Sequence, residues 1–583
     1  MSNPSSPPKT LLFFSPHANI WQHAIPEAQV AYSLKKSGYS IRFMGCRGLL
    51  SDRCTTFDAL GIRGEIDESI RKKTCQKCIA KQKLTDHKLG IQRWWLDDFI
   101  QTDEITAIRK NIQSSEENEL PLLEFDHITF GKYATYEVLL NYKLGEIKFQ
   151  GAALTEYQGH LTGCQLALTA FNNLLKTEKF DAFFCYNSLY SVNHSLMRFL
   201  QNHQIQTYTF HSGNNFSQRL KRLVVSNATT IDHEKHLLQL WKNYGQIPCS
   251  AGIASFITDH LMIMMGANSM FQYGAKFDPT LDVRKHWGIS SDQKLLLATM
   301  SSQDERFAAE AVGVGWEKEK ELLFKNQIDW VHWLIDYVKD KPEFFLVIRV
   351  HPREFPNKRE KQLSQQAALL SELFKILPPN AVVNYPIEGI SIYNLMRETD
   401  VLLNHHSSSG REFAMIGKPV VIYSKGISSF PTDFCLLGIT ENQYQQAIEE
   451  AIAKPFDFER VRKVYRWLTL DHAYSTIDLS DVITFAEQKN IYSLSNILLK
   501  SSELSGIAPL YKSALYFFYP LKLKKARQIN RLVEVIENAY ASFADVSISI
   551  TTKEEEETAV LQNELNRMFN YLNIKEINKT QVH

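Results

Sequence analysis

Apolar and polar positions fall in alternating blocks along this chain, and the blocks read as strands and helices taken in turn. TLLFFSP (Thr10–Pro16) is a continuous apolar run of strand length, and helical spacing follows from about Ile25 to Ser37. Gly38 stops that helix, and YSIRFMG (Tyr39–Gly45) is the next apolar run. A βαβ opening predicts a parallel sheet. The rhythm returns with FDAFFCYN (Phe180–Asn187), a helix near Ser191–Gln201, and TYTFHSG (Thr207–Gly213). A second series has strands at Leu295–Met300, Phe344–Val350, Ala381–Asn384, Val401–His406 and Pro419–Ser424. Helical spacing separates them at Lys361–Leu377 and Ser391–Arg397, and a helix near Gln443–Ala453 closes the series. Residues 83–151 carry helical spacing and read as an insertion, and the chain after about Asp471 reads as mostly helical.

The pattern therefore predicts an α/β protein with two doubly wound, Rossmann-like domains. The boundaries are 1–255, with the insertion at about 83–151, then 256–470, and a helical extension at 471–583. A chain of 583 residues exceeds one compact core, which agrees with that division. A formal net charge of +1 excludes a bulk nucleic-acid binder. MSNPSSPPKT lacks a signal-peptide pattern, and no 18-residue apolar run exists, so a cytoplasmic location is expected. SALYFFYPLKLKKARQINRL (Ser513–Leu532) joins aromatics to Lys522, Lys524, Lys525, Arg527 and Arg531. It reads either as a packing helix with a basic side or as a peripheral contact with an anionic inner-membrane surface. In TTKEEEETAVLQNELNRMF, Leu561, Leu565 and Phe569 share a face that either pairs two chains in a homodimer or packs on the body.

Candidate chemistry gathers where strands end. In open α/β sheets, ligands bind outside the carboxyl ends of the strands. Val401–Asn404 runs into Ser407-Ser408-Ser409-Gly410, then into REFAMIG at helical spacing with Glu412 in its first turn. Such a turn offers hydroxyls, and a helix start offers N–H groups to a phosphate; equally, the serines cap the helix. FFLVIRVHPRE ends in His351-Pro352-Arg353, and Pro352 stops the strand because it cannot donate to a ladder. LLLATM ends in Ser301 and Ser302. In the first domain, the loop with His17 and His23, then Glu27, and the strand end at His211 read either as acceptor contacts and general base or as ordinary polar residues.

Four of the eight cysteines cluster at Cys46, Cys54, Cys75 and Cys78. They read as a structural zinc site, as a redox pair, or as free thiols, and Lys72, Lys73, Lys77 and Lys81 favour the thiolate form.

A strand ending in His-Pro, followed by a strand ending in serines before a helix with Glu412 and Gly417-Lys418-Pro419, resembles the nucleotide-binding half of GT-B glycosyltransferases. It is most similar to bacterial capsule and surface-polysaccharide transferases of the sialyl- and Kdo-transferase type, which use CMP-activated sugars. The resemblance covers about Leu295–Ser424 and is architectural elsewhere. It implies a nucleotide-sugar donor, CMP-sugar favoured, and a glycan or lipid-linked acceptor. His351, Arg353, Ser407, Ser408 and Ser409 would hold the donor phosphate, Glu412 the ribose, and Ser301 and Ser302 the adjoining wall. His17, Glu27 and His211 would face the acceptor. No Asp-x-Asp stands at a strand end, so catalysis without a metal or other cofactor is expected. A CDP-glycerol-type polyol-phosphate transferase and a non-catalytic scaffold of a polysaccharide assembly complex are the alternatives.

Overall fold

The computed structural model describes residues 7–269, 274–315, 322–357, 362–483, 522–547 and 552–574. The first domain is built on β1 (Thr10–Phe14), β2 (Ser40–Gly45), β3 (Arg93–Trp95), β4 (Ala182–Tyr186), β5 (Gln206–His211) and β6 (Arg222–Ser226). The second is built on β7 (Lys294–Thr299), β8 (Phe344–Arg349), β9 (Ala381–Asn384), β10 (Val401–Asn404), β11 (Val420–Ile422) and β12 (Leu436–Leu437). β13 (Thr476–Asp478) returns to the first sheet, whose order is β13-β6-β5-β4-β1-β2-β3.

The second sheet runs β12-β11-β10-β7-β8-β9 and every neighbouring pair is parallel. Renumbered within the domain this is the 3-2-1-4-5-6 order of a doubly wound dinucleotide fold. The first sheet repeats that order, with β6 and β13 antiparallel at its edge. Two such α/β domains facing one another make the GT-B plan expected from the sequence.

Burial on both faces explains the continuous apolar runs. Leu11, Leu12 and Phe13 are fully buried, as are Leu295, Leu296 and Leu297. Phe13 stacks on Phe43 of β2 at 5.2 Å and on Phe184 of β4 at 4.8 Å between ring centroids. These cross-strand contacts weld the centre of the first sheet.

Several elements differ from the sequence reading. Arg93–Trp95, read inside a helical stretch, is an edge strand parallel to β2; three residues are too few for periodicity to register. The 471–583 segment is not purely helical, since β13 pairs with β6. Nor does it stand apart. The Ile529–Glu537 helix buries Leu532, Val535 and Ile536 against the first domain. The Glu554–Leu572 helix buries Leu561, Leu565 and Phe569 against the second, together with the Ala251–Met265 helix. The face read as a dimer seam or a packing face thus packs within its own chain. Residues 513–521 of the basic-aromatic stretch lie outside the described residues. Among the described residues no helix is long and apolar enough to cross a membrane.

Candidate functional site

Each sheet opens a cavity where its strand order reverses direction. In the second domain that point lies between β7 and β10. A cavity of about 380 Å³ is lined there by Ser301 and Ser302 after β7, His351 after β8, and His406, Ser407 and Ser408 after β10. Thr230, Ile231 and Glu234 close it from the first domain. Five of the predicted donor-side residues therefore meet in one interdomain cleft.

Backbone geometry sets this edge. Pro352 ends β8 and leaves His351 at the rim. Its Nδ1 accepts the Arg353 backbone N–H at 3.3 Å, which leaves Nε2–H to donate. Burial lowers the His351 pKa to about 4, with Asp304 opposing and Arg353, Arg349 and Lys143 reinforcing. The imidazole is therefore neutral near pH 7, a hydrogen-bond donor rather than a cation. His406 sits at φ 53°, a left-handed conformation uncommon outside glycine, and its buried Nε2 lacks a partner among the described residues. Gly410 is required beside it, because a Cβ there would meet Phe430 at 2.5 Å and Asn404 at 2.9 Å.

Three predicted donor-binding residues do not line the cavity. Arg353 turns away: its Nε donates to Asp304 at 2.8 Å and its guanidinium to the Leu140 carbonyl at 2.7 Å. Asp304 also accepts the Ser302 hydroxyl, so it ties the His-Pro turn to the β7 turn. Ser409 is buried, and its hydroxyl reaches Thr299 at 3.1 Å and Ser407 at 2.8 Å. Glu412 meets Ser408 at 3.5 Å and hydrogen-bonds Tyr393. Burial raises its pKa. The N–H groups of the helix start are occupied as well. Gly410 donates to the Ser407 carbonyl at 3.2 Å and Arg411 to the Ser408 carbonyl at 3.1 Å. The turn thus presents hydroxyls, and the phosphate-binding N–H groups expected from the sequence are spent internally.

Sequence reasoning missed several wall residues, among them two charged side chains. Arg306, on the Gln303–Ala311 helix, brings a guanidinium to the cavity, one position beyond the polar run after β7. Glu234, on the Thr230–Tyr244 helix, faces the serine turn from the opposite domain. Burial raises its pKa to about 7, helped by Asp471 and opposed by Arg411 and Asn214. A carboxylate at that value in a cleft suits proton abstraction.

The first domain's cavity, about 370 Å³, lies at its own reversal point between β1 and β4. His211 lines it, as do Asn19, His23, Tyr186, Tyr190 and Arg219. His23 stacks on Tyr186 with ring centroids 3.9 Å apart. Burial lowers the pKa of both His23 and His211 to about 3. The Arg219 Nε donates to Ser212 at 2.7 Å. His17 and Glu27 do not reach this cavity, which corrects their placement as acceptor contacts. Glu27 is 2% exposed and accepts the Ser15 hydroxyl at 2.5 Å. Burial raises its pKa to about 8. His17 is 7% exposed and lines a separate small cavity with Cys46, Cys54, Cys75 and Cys78. Burial raises the pKa of all four thiols, Cys75 to about 11, which overturns the thiolates expected from nearby lysines. Among the described residues no three His, Cys, Asp or Glu side chains are placed to hold a metal ion.

No family model and no curated protein matches the chain. Among solved structures, UDP-GlcNAc 2-epimerase from Neisseria meningitidis, bound to UDP-GlcNAc, is 12% identical; the alignment covers 78% of this chain and 95% of that one at a TM-score of 0.28. The beta Kdo 2,4 transferase of Thermosulfurimonas dismutans KpsC is 11% identical, covering 49% of this chain and 79% of that one at a TM-score of 0.31. Likeness at this level carries no argument about activity, and the architecture rests on the strand orders.

Proposed function

We propose that this chain transfers a sugar from a nucleotide-sugar donor, a CMP-sugar by preference, to a glycan or lipid-linked acceptor in surface-polysaccharide synthesis. The observation that carries the reading is the cleft at the second sheet's reversal point. There the hydroxyls of Ser301, Ser302, Ser407 and Ser408, the His351 and His406 imidazoles and the Arg306 guanidinium face Glu234 across two domains. Departure of a phosphate-bearing leaving group needs donors aimed at its oxygens in a site that excludes water. Arg306, Nε2–H of His351 and the Ser407 hydroxyl supply those donors, while the Ser302 hydroxyl stays on Asp304. Glu234 takes the proton of the acceptor hydroxyl as it attacks the sugar carbon. The first domain's cavity, with its stacked His23 and Tyr186, receives the acceptor. Domain closure brings the two halves together.

Calorimetry with CMP, UDP and GDP, followed by chromatography of reactions with the corresponding sugars and with CDP-glycerol, tests this. Binding of CMP with turnover of a CMP-sugar is expected. Turnover of CDP-glycerol would instead assign polyol-phosphate transfer, and failure of every nucleotide to bind would assign a scaffold.

A further inference from the structure

The proposed base does not stand alone at the cleft. Asn214, in the turn after β5, donates from Nδ2 to Glu234 Oε1 at 3.3 Å and to Asp471 Oδ2 at 3.2 Å. An amide nitrogen carries two hydrogens, so each carboxylate can take one. Asp471 in turn accepts the Arg411 guanidinium at 2.9 Å. Arg411 sits on the Ser409–Met415 helix, directly behind the serine turn of the second domain. Four side chains therefore run in an unbroken line from the donor-side turn of one domain to the proposed base of the other.

Local structure holds each link in place. Gly213 has φ 59°, and a Cβ there would meet Val224 at 2.8 Å, so the turn after β5 depends on glycine. The Gly213 N–H donates to His211 Nδ1 at 3.0 Å, which ties the turn to the wall of the first cavity. Asn215, next along, is buried and accepts the Ser217 hydroxyl and the Gln218 N–H. Asp471, also buried, lies in a π-helical turn, Thr469–Tyr474, just before β13. Such turns are frequent at functional sites.

Other charges near Glu234 already have partners. Across the cleft, Glu310 pairs with Arg306 at 3.9 Å and Glu305 with Arg353 at 3.8 Å. Burial keeps His351 and His406 neutral. On the helix of Glu234 itself, Asp232 bonds Thr229 and Lys235, and His236 bonds Asp545. His233, like His472 beside Asp471, is kept neutral by burial. Asp471, with Arg411 behind it, is thus the charge that bears on Glu234, and Asn214 is its one side-chain hydrogen-bond donor among the described residues.

We infer, resting on the sugar-transfer reading above, that Asn214 and Asp471 are positioning residues for Glu234, and that through Arg411 they fasten the base of the first domain to the serine-turn helix of the second. Held at Oε1, Glu234 has Oε2 for the proton of the acceptor hydroxyl. That proton passes over as the hydroxyl oxygen bonds the sugar carbon and the phosphate leaves with the electron pair of the broken bond. The two positioning residues act in opposite senses. Asp471 is a like charge and favours the protonated form of Glu234, whereas the Asn214 donor favours the carboxylate.

The test is the pH–rate profile of two variants of the full chain. Asp471→Asn should move the acidic limb to lower pH, since it removes the like charge and leaves Arg411 to act alone. Asn214→Ala should move the limb to higher pH and lower kcat by about 10²-fold. Loosened packing would not drive the limb in two directions. Asn214→Ala keeps the Arg411–Asp471 pair, so it decides the matter even where Asp471→Asn fails to fold. Infrared pH titration of the Glu234 carboxyl, identified by its loss in Glu234→Gln, reports the same shifts without turnover. Shifted bands with no transfer of any sugar would sink the transfer reading and uphold the link. Limbs and bands that stay at their wild-type positions, while Glu234→Gln still loses its limb, would overturn the link and keep the base.

Discussion

The two cavities occupy equivalent points in two copies of one strand order, yet they are walled differently. In the second domain the polar residues after β7, β8 and β10 line the opening directly. In the first, His17 stands just as close to the end of β1 but is turned inward. The cause is a layer from elsewhere in the chain. The cysteine-bearing segments pack over the β1 loop, and the Cys78 thiol donates to the Pro16 carbonyl at 3.0 Å. The lesson is that a strand end fixes where a residue sits, and the element packed over the loop decides which way it faces.

The sharpest test of the comparison lies on the wall that only the second cavity borrows from its neighbour. Glu234→Gln should lower kcat by roughly 10²–10⁴ with donor affinity kept. The base must be ionised to act, so wild-type activity rises with pH through about 7 and then levels. The variant should lose that rise; a pH–rate profile of unchanged shape would remove Glu234 from the proposed chemistry.

Next in size is the buried pair behind the serine turn. Arg411 and Asp471 meet at 2.9 Å with side chains 6% and 3% exposed. Removing one partner strands a buried charge, so Arg411→Ala should cost about 3–5 kcal/mol in chemical denaturation. A loss below about 1 kcal/mol would mean the pair is hydrated.

His351→Ala should reduce kcat/KM by about 10²-fold with an unchanged circular dichroism spectrum. His211→Ala, in the other cavity, should raise the acceptor KM and leave nucleotide affinity intact. Equal effects of the two variants on nucleotide affinity would erase the division of labour between the cavities.

The smallest effect concerns Glu27. Its folded pKa of about 8 stands above the ordinary 4.5, so the folded chain keeps a proton that the unfolded chain releases. Stability from this group is therefore present at low pH and falls as pH rises from about 4.5 through about 8. Glu27→Gln should match the wild type at pH 5 and melt a few degrees higher at pH 9. Coinciding melting curves at both pH values would place an ionised, solvated carboxylate there.

Much of the second domain was legible because its signals are local. Pro352 marks the end of β8 by what it cannot donate, and Gly417-Lys418-Pro419 marks a helix stop. Arg353 was misread because its partner, Asp304, lies 49 positions away along the chain. Arg306 and Glu234 gave no signal, since a helix surface residue becomes a wall residue only when another domain arrives opposite it. The edge strands β3 and β13, three residues each, were invisible for want of length.

One feature bears on how the chain is made. β13 and the Ile529–Glu537 helix complete the first sheet's domain, with Lys9 and Tyr39 both bonded to Glu537. The amino-terminal lobe therefore leaves the ribosome with an unsealed edge and an uncovered apolar flank. It must wait through synthesis of the entire second lobe before its last pieces emerge, which makes the growing polypeptide a natural client for chaperones.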